Sequence, residues 1–412
     1  MAALLIYIVL LGGFFLLNKK KFGFNGGTFL IGIYLLGAVL GVYMVLFTNF
    51  YEEERLNSAA ALYHSICLFL FLYPIVYVSN KHLVHFQVPN ERGLKIVYYI
   101  IIGMSVFSFI SFAPKIGNVL AVGDFKDARN MYNYGQLYEQ ESGGGILGYL
   151  GGIGSSLAFF SLYFCFYNLK NHPEKKKLII SLLICSLTDV VLGLSMVGRG
   201  GIIRWLFMLL FFYFTFSQYL QPKLKHLIRR TVLFFSLPLM TVLIAITLSR
   251  FTGREYPVFV YMFDYIGQSF IYFSYIFDQF FESTFGGRLS FPILFPDDRI
   301  ERVLSEVVYA DYSLNTFSTF IGTFYKDMGF IGTLGLSIGF YVVLMLIYRF
   351  NTTPRTFSKL FVYIVVSQMI INGVFYFQYT GTTKIRSFIL MILIAYVIQF
   401  LFKKNNRKPL YQ

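Results

Sequence analysis

The sequence predicts an all-helical protein that crosses a membrane many times. Of its 412 residues 57% are hydrophobic and only 13% are charged, and the mean hydropathy is +0.63. Apolar runs long enough to span a bilayer recur along the chain, and the charges sit in short links between them. A water-soluble domain carries about 25% charged residues, so this much apolar side chain fits the bilayer as its solvent. In hydrocarbon every backbone N–H and C=O needs a partner within the protein, and an isolated apolar span satisfies that as a helix.

About eleven spans are expected, near 2–18, 28–48, 60–78, 96–113, 145–168, 178–196, 201–218, 231–248, 329–348, 359–378 and 387–402. The first run precedes its cationic cluster Lys19-Lys20-Lys21. A signal peptide has the opposite order, so this run reads as a retained first helix. More than half of the 35 Lys and Arg fall in alternate links. These links include Lys81, Arg92 and Lys95, then Lys170 and Lys175 to Lys177, then Lys223 to Arg230, and Lys403 to Lys408. By the positive-inside rule those links are cytoplasmic, with the N-terminus outside and the C-terminus inside. A multi-pass membrane protein is therefore expected.

The net charge of +15 does not point to nucleic acid, because it is dispersed as topology signals rather than gathered on one folded face. Cys67, Cys165 and Cys185 all fall inside apolar runs, so neither a disulfide framework nor a metal quartet follows from them. No metal and no cofactor are expected.

The outer face would carry the acidic turn Glu52-Glu53-Glu54, a polar stretch over 114–144, the turn Gly198-Arg199-Gly200-Gly201 and a large loop over 249–328. Within that loop Pro257 to Glu282 is apolar and aromatic, with Asp264 and Asp278 embedded in it. Helices lying in the interface are the expected form; one further full span is the alternative.

Four arginines, Arg199, Arg204, Arg250 and Arg254, sit at outer helix ends where the positive-inside rule disfavours them. The guanidinium fork fits phosphate bidentately, so one reading is a site for a lipid-linked diphosphate. The other is snorkelling to headgroups, or pairing with nearby acids. Asp189, inside the sixth span, is costly in hydrocarbon and is expected to pair with Arg204. Lys326 and Asp327 have two readings, a chemical role or a cap on the helix beginning near Gly329. Tyr261 and Tyr265 suit sugar stacking and interfacial packing alike.

Three segments carry a resemblance: Ser195 to Leu210 (SMVGRGGIIRWLFMLL), Arg254 to Phe270 (REYPVFVYMFDYIGQSF) and Asn315 to Gly335 (NTFSTFIGTFYKDMGFIGTLG). Together with the overall layout, the chain resembles bacterial oligosaccharide repeat unit polymerases of the Wzy type, with Met328 where Phe is usual. The resemblance implies a GT-C-like glycosyltransferase architecture. It also implies polymerisation of undecaprenyl-diphosphate-linked oligosaccharides into an O-antigen, capsule or exopolysaccharide. Partners implied are the lipid bilayer, the lipid-linked glycan, and a chain-length regulator and flippase of the same pathway. Arg199, Arg204, Arg250, Arg254, Asp264 and Asp327 are the expected catalytic residues. Tyr261, Tyr265, Asn315 and Lys326 are the expected substrate contacts. An O-antigen ligase and a lipid-linked oligosaccharide flippase remain the alternatives. No His lies in the large loop to favour a ligase, and the sparse charge inside the spans is unlike a transport path.

Overall fold

In this computed structural model the described residues are 1–81, 86, 88–123, 125–133, 145–251, 253, 255–282, 285–291, 293–295, 317–349, 356–377 and 382–402. The elements among them are helical, apart from one isolated bridge between Thr319 and Tyr376. In chain order the helices are α1 Ala2–Phe22, α2 Gly26–Phe47, α3 Ser58–Lys81, α4 Glu91–Ala121, α5 Phe125–Asn133, α6 Ile146–Ser156, α7 Ala158–Asn171 and α8 Lys176–Cys185. They continue as α9 Thr188–Ser195, α10 Gly200–Ser217, α11 Pro222–Phe251, α12 Val258–Phe277, α13 Thr319–Arg349, α14 Phe357–Asn372 and α15 Thr382–Leu401.

Local signals set several boundaries. Gly23 at φ 72 stops α1 after its lysines. Asn25 caps α2, its side chain accepting from the Thr28 amide at 3.0 Å, and Asn90 caps α4 by accepting from the Gly93 amide at 3.0 Å. Each cap satisfies an amide that the first helical turn leaves without a partner. Pro114 lies inside α4, so that helix runs past the expected end at 113. A membrane helix tolerates an internal proline where its surroundings satisfy the freed carbonyl.

Among the described residues eight helical segments are long and apolar enough to cross a membrane, with α8 and α9 together forming one of them over Lys176–Ser195, and the count reaches nine if α6 and α7 form one span. The run expected over 145–168 is thus a pair bent by 44° at Leu157. Small residues bring α6 against α4: a Cβ on Gly154 would clash with the Met104 carbonyl, and one on Gly151 would stand 2.7 Å from Ser111 Oγ. The run expected at 231–248 is helical and that at 359–378 is helical only to Asn372, and their apolar stretches, Ser236–Ser249 and Phe357–Asn372, fall below the spanning length.

The chain ends mark the two faces of the bundle. The Met1 ammonium pairs with Glu53 at 2.8 Å, in the link between α2 and α3. At the opposite end the Phe402 carbonyl accepts from the Asn90 amide at 3.1 Å, and Lys175 reaches Glu91 at 3.1 Å. The start of α4 and the basic link 170–177 therefore meet on one face.

The expected interfacial segment is α12. Both of its ends meet the α2–α3 link: Tyr256 Oη accepts from the Asn49 amide at 3.1 Å, and Asn57 Nδ2 approaches Asp278 at 3.5 Å. Between those two ends the 20-residue helix packs against the body of α2, reaching Gly41 and Gly37. Glycine makes the crossing close. A Cβ on Gly267 would stand 2.8 Å from the Gly41 amide nitrogen, and Gly37 leaves room for the Phe270 ring. Small residues four apart are the usual means of bringing membrane helices together. Buried Phe270 and Phe273 then pack around His64, which bonds Tyr7 Oη at 3.0 Å and Thr319 Oγ1 at 2.8 Å.

Candidate functional site at the α9–α10 turn

Helices α9 and α10 form a hairpin whose turn runs from Met196 to Arg199. Its glycines have separate steric duties. A Cβ on Gly201 would stand 2.5 Å from the Asp189 carbonyl oxygen, and one on Gly193 would stand 3.0 Å from Gly201 Cα. Without side chains at these two positions the backbones can touch. A Cβ on Gly200 would stand 2.9 Å from an Arg204 Nη1, so Gly200 leaves space for that guanidinium. Val197, buried in the turn, holds φ 52, a conformation costly for a β-branched residue. The turn is thus held by its surroundings.

The two arginines of this hairpin have different environments. Arg204 Nε and Nη2 each donate to Asp189 at 2.9 Å, one to each carboxylate oxygen. This fork-to-fork pair is the one expected from the cost of a lone acid in a span. Arg199 is buried at 7% exposure, and among the described residues no carboxylate pairs with it. Its Nη1 donates to Thr247 Oγ1 at 3.2 Å. The guanidinium lies 4.9 Å from the Tyr265 ring and 5.2 Å from the Phe251 ring, within the reach of cation–π attraction. Burial pulls its pKa below the usual value while Tyr265 pushes back; a guanidinium starts so high that it stays a cation.

Arg199 also lines a cavity of about 210 Å³ with Phe207, Thr247, Met262, Tyr265 and Ile266. The lining is apolar except for Arg199, the Thr247 hydroxyl and the Tyr265 hydroxyl. A third cation, Lys384 at the start of α15, stands within electrostatic reach of both Arg204 and Asp189. Tyr265 and Tyr376 stand within reach of Arg204 in the same way. Phe317, Phe375 and Tyr376 close this side: Phe317 stacks on Tyr376 at 5.6 Å, and Tyr265 meets Phe317 at 4.7 Å and Phe375 at 5.2 Å. Backbone bonds hold the closure, from Thr319 N to Phe375 O at 3.0 Å and from Phe320 N to Gly373 O at 2.8 Å.

The expected site residues thus separate. Arg199, Arg204 and Tyr265 come together. Arg204 is engaged by Asp189, so its first role here is to hold the hairpin. Tyr261 stacks on Phe251 at 4.5 Å with nearly parallel rings, so that face is used in packing. Asp264 accepts from Tyr51 Oη at 2.5 Å. Burial raises its carboxyl pKa and the Tyr51 hydroxyl draws it back.

Asp327 is fully buried and its carboxylate accepts from the amides of Gly287 at 3.0 Å, Leu289 at 3.4 Å and Ser290 at 2.8 Å. Its carbonyl accepts from Phe285 and Gly286, both at 3.0 Å. Asp327 thus anchors the loop 285–290, whose Gly286 and Gly287 take positive φ to wrap the carboxylate, a role that neither sequence reading included. Lys326, the preceding residue, is buried at 4% exposure in the same turn. Arg254 and Asn315 lie outside the described residues, and so does the Arg250 side chain. Lys384 went unnoticed in the sequence because it opens a span beside the cationic Arg386, where it resembles an ordinary interfacial lysine.

Compared with known proteins, the chain matches no family model, no curated protein and no solved structure.

Proposed function

We propose that the chain is a metal-independent glycosyltransferase that polymerises polyprenyl-diphosphate-linked oligosaccharide repeat units at the outer face of the cytoplasmic membrane. The observation that supports this most is the Arg199 cavity. A buried guanidinium with no carboxylate partner among the described residues sits in an apolar wall, and Lys384 stands by the adjoining Arg204–Asp189 pair. Apolar walls suit a polyprenyl chain, and the guanidinium suits its diphosphate.

In the proposed reaction the bond between the donor's anomeric carbon and the diphosphate oxygen breaks. The diphosphate carrier leaves with the electron pair. An acceptor hydroxyl oxygen bonds to the anomeric carbon, and its proton passes to a carboxylate. Fixed cations in a low-dielectric site stabilise charge as it develops on the leaving diphosphate. Arg199 and Lys384 are assigned this part. Arg204 is a positioning residue, since Asp189 fills its fork. Asp264 is assigned as the base: it neighbours Tyr265 on α12, whereas the oxygens of Asp327 are committed to backbone amides.

The test is reconstitution of the full chain with synthetic lipid-linked repeat units, read as a ladder of lengthened chains. The expected result is a ladder from the native protein and loss of the ladder from Arg199→Ala. Movement of the glycan across the bilayer with no new glycosidic bond would overturn the proposal in favour of a flippase. Transfer to a lipid A core acceptor would point to a ligase.

A further inference from the structure

A second cavity, of about 460 Å³, opens between the α2–α3 link and the C-terminal end of α12. Its lining includes Arg55, Asn57, Ser274, Tyr275, Asp278 and Gln279. Nothing derived above uses it.

The chemistry of this cleft differs from that of the Arg199 cavity. Its one guanidinium is already committed: Arg55 Nε pairs with Glu52 at 2.6 Å and the group lies 5.7 Å from the Tyr275 ring. Glu54 and Asp278 also line it, so its charge disfavours a phosphate. Asn57 is engaged, its Oδ1 accepting from the Ala59 amide at 2.8 Å and the Ala60 amide at 3.2 Å, so the cleft offers an amide from Gln279, a carboxylate from Asp278 and the aromatic body of Tyr275. Tyr275 is fixed in place, because its Oη accepts from the Glu52 amide at 3.0 Å. Ser274 lies in the same wall at 3% exposure, and its Oγ has no hydrogen-bond partner among the described residues. Polar groups of both donor and acceptor type around a fixed aromatic ring match a polyhydroxylated, uncharged ligand.

We infer that this cleft binds an uncharged stretch of oligosaccharide, through the Tyr275, Asp278 and Gln279 side chains. The inference rests on the glycan-transfer reading for the identity of its ligand. Tyr265 and Tyr275 share α12, and at the rise of an α-helix they stand about 15 Å apart along its axis. Helix α12 thus joins a cationic site to a polar one whose only cation is already paired. A lipid-linked glycan has the same order of parts, with charge at the carrier end and hydroxyls beyond it.

The test uses saturation-transfer NMR on the full chain in nanodiscs. The probe is the carrier-free repeat-unit oligosaccharide released by mild acid from the host's own lipid-linked pool. Native protein and Arg199→Ala are expected to transfer saturation equally. Tyr275→Ala and the milder Gln279→Ala, with Asp278→Asn, are expected to lose at least about fivefold of the signal, while inorganic pyrophosphate does not compete. Gln279 and Asp278 are exposed, so these two variants keep the test valid if Tyr275→Ala fails to fold. No signal from the native protein, or equal signals from it and the Gln279 and Asp278 variants, overturns the inference. Chain lengthening without binding at the cleft would sink the cleft and leave the polymerase reading standing. Binding at the cleft without chain lengthening would do the reverse.

Discussion

Arg199 and Arg204 are carried by one helix end, five positions apart, and the fold treats them oppositely. Arg204 is locked by two 2.9 Å bonds to Asp189, while Arg199 is held by Thr247 and two aromatic rings beside a cavity. The first arrangement cancels charge and fixes a hairpin. The second preserves a full positive charge in an apolar wall, where it is costly unless a ligand meets it. Equal residue types in neighbouring positions therefore have unequal duties, and the difference lies in what faces each one.

The sharpest way to break this contrast is Arg204→Ala. It strands Asp189 without its counter-charge, and the expected loss is about 3–5 kcal/mol of stability, measured by thermal unfolding in detergent and by the amount of folded protein in the membrane. The double change Asp189→Asn with Arg204→Gln removes both charges and is expected to recover most of the loss. Native stability in Arg204→Ala would show that the pair does not hold the hairpin.

Arg199→Ala tests the other half. Folding should survive, since only one neutral acceptor and two ring contacts are lost. Chain lengthening is expected to fall about 10²- to 10³-fold, the usual cost of losing one fixed donor at a developing charge. Lys at this position keeps charge but loses the fork and should restore only part of the rate. A smaller effect belongs to Gly201→Val. Its side chain would press on the Asp189 carbonyl, and the expected cost is about 1–3 kcal/mol, read as a lower unfolding temperature with the Arg204 pair disturbed.

The smallest effect concerns Asp264. Burial raises its carboxyl pKa in the fold, so only between the unfolded and the folded value does the native state hold a proton that the unfolded chain has released. The stability this gives is present at low pH and is lost as pH rises from the unfolded value through the folded one. Asp264→Asn should flatten that part of the curve of unfolding temperature against pH. An unchanged slope would mean that the carboxylate is solvated.

Much of the fold was legible in the order of residues. Long apolar runs carry their own helix signal, so α1, α2, α3 and α10 lie within a few residues of expectation. The α6–α7 bend was not legible, because Gly151 and Gly154 read as a permissive stretch until α4 is packed against them. The Asp189–Arg204 pair could be expected from the cost of a lone carboxylate in a span. Asp327 could not be assigned in this way. Its three amide donors come from 285–290, about forty positions away in the chain, and no local pattern marks that loop as its partner.

What the sequence alone determined is the solvent for each segment: transfer free energy acts run by run, so spans, basic links and the Gly-Arg-Gly-Gly turn follow from neighbours in the chain. What only the tertiary structure decided is which charge meets which group. Lys384 comes near Arg204, and Tyr265 near Arg199, through contacts between helices far apart in sequence. Coulomb and cation–π energies depend on distance in space, and the folded chain alone sets that distance.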